Sequence, residues 1–152
     1  MKLNVDHGLH YTPEQLKLAG EFILFCADSL PIEGDFSVFL ANSREPHGIT
    51  TTALYEVGNN TCRVYCKNRA LADVLRSVAH EMTHMMQDQI GIIKGPIRDA
   101  GGFHEDQANS KAGELIKLFA KLPGLHFAQV HRLGPKMGSM CSRFTFCTVA
   151  MF

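Results

Sequence analysis

The spacing of apolar and polar residues predicts a helix first and a group of strands after it. A helix is predicted over 13–28, because Thr12 and Gln15 form a capping box and Pro13 suits the first helical position. Pro31 ends this helix, since a proline pushes the preceding residue out of the α region. The first predicted element is therefore a well-delimited N-terminal helix.

The pattern then changes to the two-residue period that is typical of strands. Strands are predicted over 36–41, 49–57 and 61–67, and the turn residues at 58–60 (Gly-Asn-Asn) join the last two as a hairpin. We therefore expect a small, three-stranded, mostly antiparallel sheet.

Two long helices are predicted in the second half of the chain, over 70–90 and 103–122. Glycines and a proline between them indicate a connecting loop. The C-terminal segment 125–152 has no clear pattern, except that residues 142–149 alternate like a strand. The whole chain is expected to form one α+β domain, 1–152.

Composition narrows the class of protein. The formal net charge is zero, which argues against a nucleic-acid partner or an anionic lipid surface. No apolar run approaches the roughly 20 residues that a membrane span needs. The first ten residues lack the apolar core of a signal peptide. We therefore expect a cytoplasmic protein, or one of the host cytoplasm if it is phage-encoded, of unknown oligomeric state.

The five cysteines are interpreted as reduced thiols, since their number is odd and no secretory signal precedes them. Cys62 and Cys66 share a face of a predicted strand, and buried thiols explain them better than a metal pair does. A second metal site near the C-terminus is not expected, because the spacing lacks the close cysteine pair of zinc ribbons. Its residues would be His126, His131, Cys141 and Cys147.

The chemistry of the chain is indicated by His80, Glu81 and His84, which form an H-E-x-x-H motif in the helix predicted over 70–90. Two histidines four residues apart lie about 40° apart on one helix face. This spacing lets two imidazoles bind one Zn²⁺ ion. The apolar residues of the helix fall on the opposite face: Leu71, Leu75, Val78, Met82 and Met85.

A catalytic zinc site needs a third protein ligand. Glu105 is a candidate, since it lies on the apolar face of the helix predicted over 103–122. A carboxylate there is costly unless it is paired or binds a metal. An interaction with the helix dipole is the alternative, although Asp106 on the solvated face suits that role better. Asn109, one turn further on the same side, can orient a ligating histidine.

These two motifs together resemble the gluzincin group of zinc metallopeptidases, especially the small ImmA/IrrE-like and related phage and bacterial enzymes. Their second motif, Glu-x-x-Ala-Asn-x-aromatic-Ala, is similar to the stretch 105–112 (Glu-Asp-Gln-Ala-Asn-Ser-Lys-Ala). The resemblance covers about 61–122. Lys111 replaces the aromatic residue of that pattern, and Thr83 stands where many members carry glycine.

The resemblance implies a minimal zincin-like fold and zinc-dependent hydrolysis of peptide bonds, with one Zn²⁺ per chain and a peptide or protein substrate. It implies His80, His84 and Glu105 as metal ligands. It also implies that Asn109 orients a ligating histidine without binding the metal itself. It also implies that Glu81 is the general base for a zinc-activated water.

In this group of folds the substrate peptide lies extended along an edge strand, for which the predicted strand 61–67 is the candidate. A hydrogen-bond donor for the tetrahedral oxyanion is also expected. Tyr65, His126 and His131 are the candidates, and the sequence does not choose among them.

Two alternatives remain open. His104 could be the third ligand, as in SprT-like proteases, although Glu105 and Asp106 follow it where those proteins carry a glycine and an aromatic residue. The chain could instead be a non-catalytic metal-binding or phage structural protein. Glu81 separates the two classes, because a scaffold needs no general base beside its metal.

Overall fold

The computed structural model describes residues 1–93 and 102–122, together with the backbone of 149–151. The helices are α1 (Pro13–Ser29), α2 (Leu71–Gln89) and α3 (Phe103–Phe119). The strands are β1 (Lys2–Val5), β2 (Ser37–Ala41), β3 (Ala53–Glu56), β4 (Thr61–Tyr65) and β5 (Val149–Met151), with a 3-10 turn at Glu45–His47. Helices and strands thus form an α+β fold.

The sheet has the strand order β3-β4-β2-β1-β5, and it is mainly parallel. Strand β1 runs parallel to β2 and β5, and β2 runs parallel to β4. Among the described strands, only the pair β3–β4 is antiparallel. The prediction of a three-stranded, mostly antiparallel sheet is therefore wrong, although the α+β class is confirmed.

The reason for this error lies at the N-terminus. Strand β1 is four residues long and buries only Leu3 and Asn4, so it has no readable apolar alternation. Helix α1 leads from β1 to β2, and a helical crossover of this kind joins parallel strands. Without β1, the sequence pattern lacks this crossover, and the predicted strands 36–41 and 61–67, which pair in parallel as β2 and β4, carry no local sign of that pairing.

Helix α1 begins as predicted. The Thr12 hydroxyl accepts the backbone N–H of Gln15 at 3.2 Å, and the Gln15 side chain accepts the N–H of Thr12 at 2.9 Å. The capping box therefore satisfies two backbone donors that a helix start leaves without partners.

The predicted hairpin is also present. Gly58 in its turn has a φ of 81°, a conformation that favours glycine. Strand β3 begins at Ala53 rather than at 49, and it forms one edge of the sheet. Strand β4 pairs with β3 on one side and with β2 on the other. The prediction that the strand at 61–67 is a free edge for a peptide is therefore wrong; β3 occupies that position.

All three helices contribute to a core on one face of the sheet. The largest of its fully buried side chains include Phe22, Phe119, Ile23, Leu40, Leu75 and Met82. Helix α2 is buried on two sides, because its apolar face lies on this core and α3 packs against its other side. The histidine pair thus faces α3, and His84 is 2% exposed.

Three of the cysteines belong to the described residues, and all three are buried free thiols: Cys26, Cys62 and Cys66. Burial is the main reason why the pKa of the Cys66 thiol is raised to about 12. The interpretation of Cys62 and Cys66 as buried thiols is confirmed.

Among the helices described, none is both long and apolar enough to cross a lipid bilayer. The predicted strand at 142–149 lies outside the described residues, except for Val149 at the start of β5. Cys141 and Cys147 also lie outside them.

Candidate metal centre

Helix α2 brings His80 and His84 together, because residues four apart occupy the same helix face. Their Nε2 atoms are 3.0 Å apart, and their ring planes are nearly perpendicular, at 82°. His84 is buried, whereas the side chain of His80 is 20% exposed. The pair thus presents one fully buried imidazole and one partly exposed imidazole.

Helix α3 supplies the carboxylate. One oxygen of Glu105 lies 3.2 Å from His80 Nε2, and the other lies 3.0 Å from His84 Nε2. Glu105 reaches the two histidines because it lies at the start of the buried face of α3. The same face continues through Ala108, Ala112 and Phe119. The ligand atoms of His80, His84 and Glu105 all lie within 4.8 Å of one another.

The protonation of His84 follows from its neighbour Gln87. The amide Nε2 of Gln87 donates to the backbone carbonyl of His104 at 3.0 Å and to Oε1 of Gln107 at 2.8 Å. Oε1 of Gln87 must therefore face His84 Nδ1, 2.8 Å away. Since that oxygen can only accept, Nδ1 of His84 carries the proton, and its Nε2 keeps a lone pair when the ring is neutral.

The surroundings of His80 also favour a neutral ring. Burial lowers the pKa of His80, and the neighbouring His84 lowers it further. Glu105 and a hydrogen bond with the Asn109 side chain act in the opposite direction without reversing the shift. A neutral imidazole is the form that binds metals.

These three side chains fit a cation. Three short contacts join Nε2 of His80, Nε2 of His84 and the carboxylate oxygens of Glu105. With both rings neutral, Nε2 of His80 is the one atom among them that can carry a proton, so there are fewer protons than contacts. A positive ion among these atoms would turn repulsion between lone pairs into attraction. The cluster could therefore hold a metal ion.

Glu81 follows His80 on α2 and is buried, with 8% of its surface exposed. It lines the same cleft as His80, His84 and Glu105. A carboxylate beside the metal-binding atoms, with one side toward an open cleft, is placed to exchange a proton with a molecule bound there.

The cleft has a volume of about 1030 Å³. The N-terminal half of α2 lines it on one side, the β3 strand and its turn line it on another, and α3 contributes Glu105, Asn109 and Ala112. Further lining residues include Thr52, Tyr55, Asn59, Arg69, Arg76 and Ser77. This space is large enough for several residues of a peptide or for a comparable small molecule.

The other residues suggested by the sequence have different positions. Asn109 contacts His80 through a side-chain hydrogen bond. His104 is not part of the metal cluster; its carbonyl binds Gln87, and its Nδ1 is buried without a hydrogen-bond partner among the described residues. His126 and His131 lie outside the described residues.

Tyr65, one of the three candidates for the oxyanion donor, lies on the other face of the sheet. Val64 on β4 belongs to the buried core, and successive strand residues point to opposite faces of a sheet. Tyr65 therefore points away from the helices, where the guanidinium of Arg44 lies 4.5 Å from the centre of its ring. It does not line the cleft, so it cannot donate to a group held there.

Sequence reasoning missed Gln87 as a functional residue. Gln87 is fully buried, yet it is polar and lies three residues after His84 on the same face of α2. A buried amide must find hydrogen-bond partners, and a glutamine at this spacing from a metal-binding histidine is the signal that could have identified it.

No protein-family model, no curated protein and no solved structure significantly matches this chain.

Proposed function

We propose that this protein is a zinc-dependent peptidase. The observation that supports the proposal is the joint placement of His80, His84 and Glu105 within 4.8 Å of one another, beside Glu81 on the wall of an open cleft. Two histidines and a glutamate, with Glu81 next to the first histidine, form the donor set and general base that zinc peptidases use.

Zinc is the ion that this donor set favours. Imidazole nitrogen suits zinc and other late transition metals, whereas magnesium and calcium prefer sets of oxygen ligands. Two nitrogens and one carboxylate also leave a coordination position open for water or substrate, as catalytic zinc sites do.

The proposed reaction is hydrolysis of a peptide bond. Zinc, when bound, would polarise the scissile carbonyl group and lower the pKa of a water molecule. Glu81 accepts the proton of the attacking water and passes it to the leaving amine nitrogen. Burial of Glu81 in the cleft wall excludes bulk water from this proton transfer.

An extended peptide suits the edge of the sheet. Strand β3 lines the cleft, and within the described residues it pairs only with β4. The backbone groups on the outer side of β3 can therefore pair with a peptide placed between this strand and α2. Such a peptide would pass in front of the metal cluster.

The metal is tested by elemental analysis of protein that has been loaded with zinc and dialysed. We expect about one zinc per chain in the wild type, by the stoichiometry of such sites, and a large loss in His84→Ala and in Glu105→Ala. Glu114→Gln is the control, since Glu114 lies on α3 outside the cleft. Absence of zinc from the wild type would contradict the proposal.

The reaction is tested by incubating the zinc-loaded protein with a mixture of peptides and analysing the products by mass spectrometry. Glu81→Gln should retain its zinc and lose cleavage by a factor of roughly 100 or more, as expected for loss of a general base. Equal cleavage by this variant would refute the role of Glu81. Zinc binding without cleavage in the wild type would instead indicate a non-catalytic metal-binding protein.

A further inference from the structure

The cleft contains an exposed cation close to the metal cluster. Arg76 lies on α2, four residues before His80, and lines the cleft. This spacing places it on the same helix face as His80, roughly 6 Å further along the axis. Among the described residues, no carboxylate lies within ion-pair distance of its guanidinium.

A second cation, Arg69, lines the same cleft. The half-buried Arg69 donates to the carbonyl oxygens of Tyr65 at 2.8 Å and Asp73 at 3.0 Å, and to the hydroxyl of Ser77 at 2.9 Å. All three acceptors are neutral, so these bonds fix the guanidinium in place without cancelling its charge. Arg69 is therefore a pre-positioned positive charge in the same wall of the cleft.

The charges of the cleft are separated along its length. Glu81 and Glu105 lie at the metal cluster, where a divalent ion would balance them. Arg69 and Arg76 lie toward the start of α2, with Asp73 as the carboxylate of that region. The part of the cleft along the first half of α2 thus carries one net positive charge, and Glu56, the other carboxylate that lines the cleft, is paired with Arg63.

We propose that Arg76, with Arg69 as a second positive charge in the same cleft, binds a carboxylate of the peptide substrate. The peptidase proposed above would therefore prefer substrates with an acidic group near the scissile bond. A distance of roughly 6 Å along α2 corresponds to about two residues of an extended peptide. The carboxylate can belong to an aspartate or glutamate side chain or to the C-terminus of the substrate, and the guanidinium of Arg76 can bind either with paired hydrogen bonds.

The test measures binding, so that it does not depend on cleavage. Zinc-loaded Glu81→Gln is titrated into three fluorescent peptides and followed by anisotropy. One peptide has an internal glutamate and an amidated C-terminus, one is neutral and amidated, and one is neutral with a free C-terminus. We expect a carboxylate-containing peptide to bind roughly three- to tenfold more tightly than the neutral amide, the range for an ion pair of intermediate exposure.

Arg76→Gln, introduced into the same protein, should abolish this preference, and Arg76→Glu should reverse it in favour of a lysine-containing peptide. Lys2→Gln is the matched control for removal of one positive charge. Lys2 lies on β1, three strands from β3 and thus about 14 Å across the sheet. Unchanged zinc content and circular dichroism would show that the variants fold.

The outcomes separate the two proposals. A preference for the internal glutamate or for the free C-terminus, lost in Arg76→Gln, supports the carboxylate site and identifies the source of the carboxylate. Equal binding of all peptides, absence of binding, or a preference that survives in Arg76→Gln overturns it. Cleavage by the wild type without any acidic preference would support the peptidase proposal and overturn the carboxylate site. An acidic preference without cleavage would support the carboxylate site and contradict the peptidase proposal.

Discussion

The side chain of Gln87 sets the orientation of His84. Oε1 of Gln87 accepts a hydrogen bond from Nδ1 of His84 at 2.8 Å, and both side chains are at most 2% exposed. The same amide donates to His104 and Gln107 on α3. One buried amide thus fixes an imidazole of the candidate metal site and joins it to the helix that supplies Glu105.

Replacement of Gln87 by leucine should weaken zinc binding by roughly 10- to 100-fold, the usual effect of removing a hydrogen bond behind a ligating histidine. The His84 ring would lose the partner that holds its tautomer and its orientation. Competition with a chromophoric chelator measures the dissociation constant.

Gln89→Leu is the matched control for this experiment. Gln89 lies on the same helix, and its exposed side chain bonds to Glu33 and Asn60 away from the cluster. If the two variants bind zinc equally well, Gln87 has no role in holding the metal.

Asp88 holds the hairpin that borders the cleft. Its Oδ2 accepts the hydroxyl of Tyr55 at 2.6 Å and the backbone N–H of Gly58 at 2.7 Å. Asp88→Ala should lower the free energy of unfolding by about 1.5–3 kcal/mol, the range for hydrogen bonds to a charged group. Asp88→Asn should cost less, because the asparagine oxygen can still accept.

Hydrogen exchange at the Gly58 amide measures the local effect on the hairpin, and urea denaturation measures the global one. The order of protection should be wild type, then Asp88→Asn, then Asp88→Ala. Unchanged exchange at Gly58 in the alanine variant would show that Asp88 does not hold the turn.

Phe119 anchors the end of α3 in the core. Its ring centre lies 5.0 Å from that of Phe22, in an edge-to-face arrangement, and 5.4 Å from that of Phe25, both on α1. Phe119→Ala should lower the free energy of unfolding by about 3–5 kcal/mol through lost burial and the cavity left behind. Leu118→Ala, at a neighbouring position that is 45% exposed, should change it by less than about 1 kcal/mol. Denaturant titration of both variants checks this, and similar losses would contradict the packing described.

Tyr11 ties the chain before α1 to the start of α2. Its hydroxyl donates to the carbonyl oxygens of Cys66 and Arg69, each at 3.1 Å. Burial is the main cause that raises the pKa of Tyr11 from 10.0 to about 12. Because the hydroxyl has a single hydrogen, the two carbonyl oxygens share one bifurcated hydrogen bond, and Tyr11→Phe should lower the free energy of unfolding at neutral pH by about 0.5–1.5 kcal/mol.

The pH dependence of that difference has a definite sign. Because the folded state disfavours the tyrosinate, the contribution of Tyr11 is complete below pH 10 and is lost as the pH rises toward 12. The difference between wild type and Tyr11→Phe should therefore shrink over that interval. Tyr65→Phe is the control, since its hydroxyl has no hydrogen bond among the described residues. A difference that stays constant up to pH 12 would contradict the assignment.

Local sequence signals were enough to predict the helices and the meeting of His80, His84 and Glu105. The helices lie within three residues of their predicted bounds. The capping box at Thr12 and the apolar periodicity relate residues only one or two turns apart, so both can be recognised in the sequence itself. His80 and His84 meet through helix geometry alone. Glu105 was identifiable because a carboxylate on a packing face needs a compensating partner.

Contacts between distant segments required the tertiary structure. Two of the parallel pairs involve β1, whose four residues carry no pattern until α1 returns the chain beside them. The third joins β2 to β4, and periodicity does not show which strands pair. The edge position belongs to β3 because β2 pairs with β4 across the sheet. The role of Gln87 depends on the approach of α3. Periodicity specifies which face of an element is buried, but it does not specify which element covers that face, since burial of apolar surface has no direction.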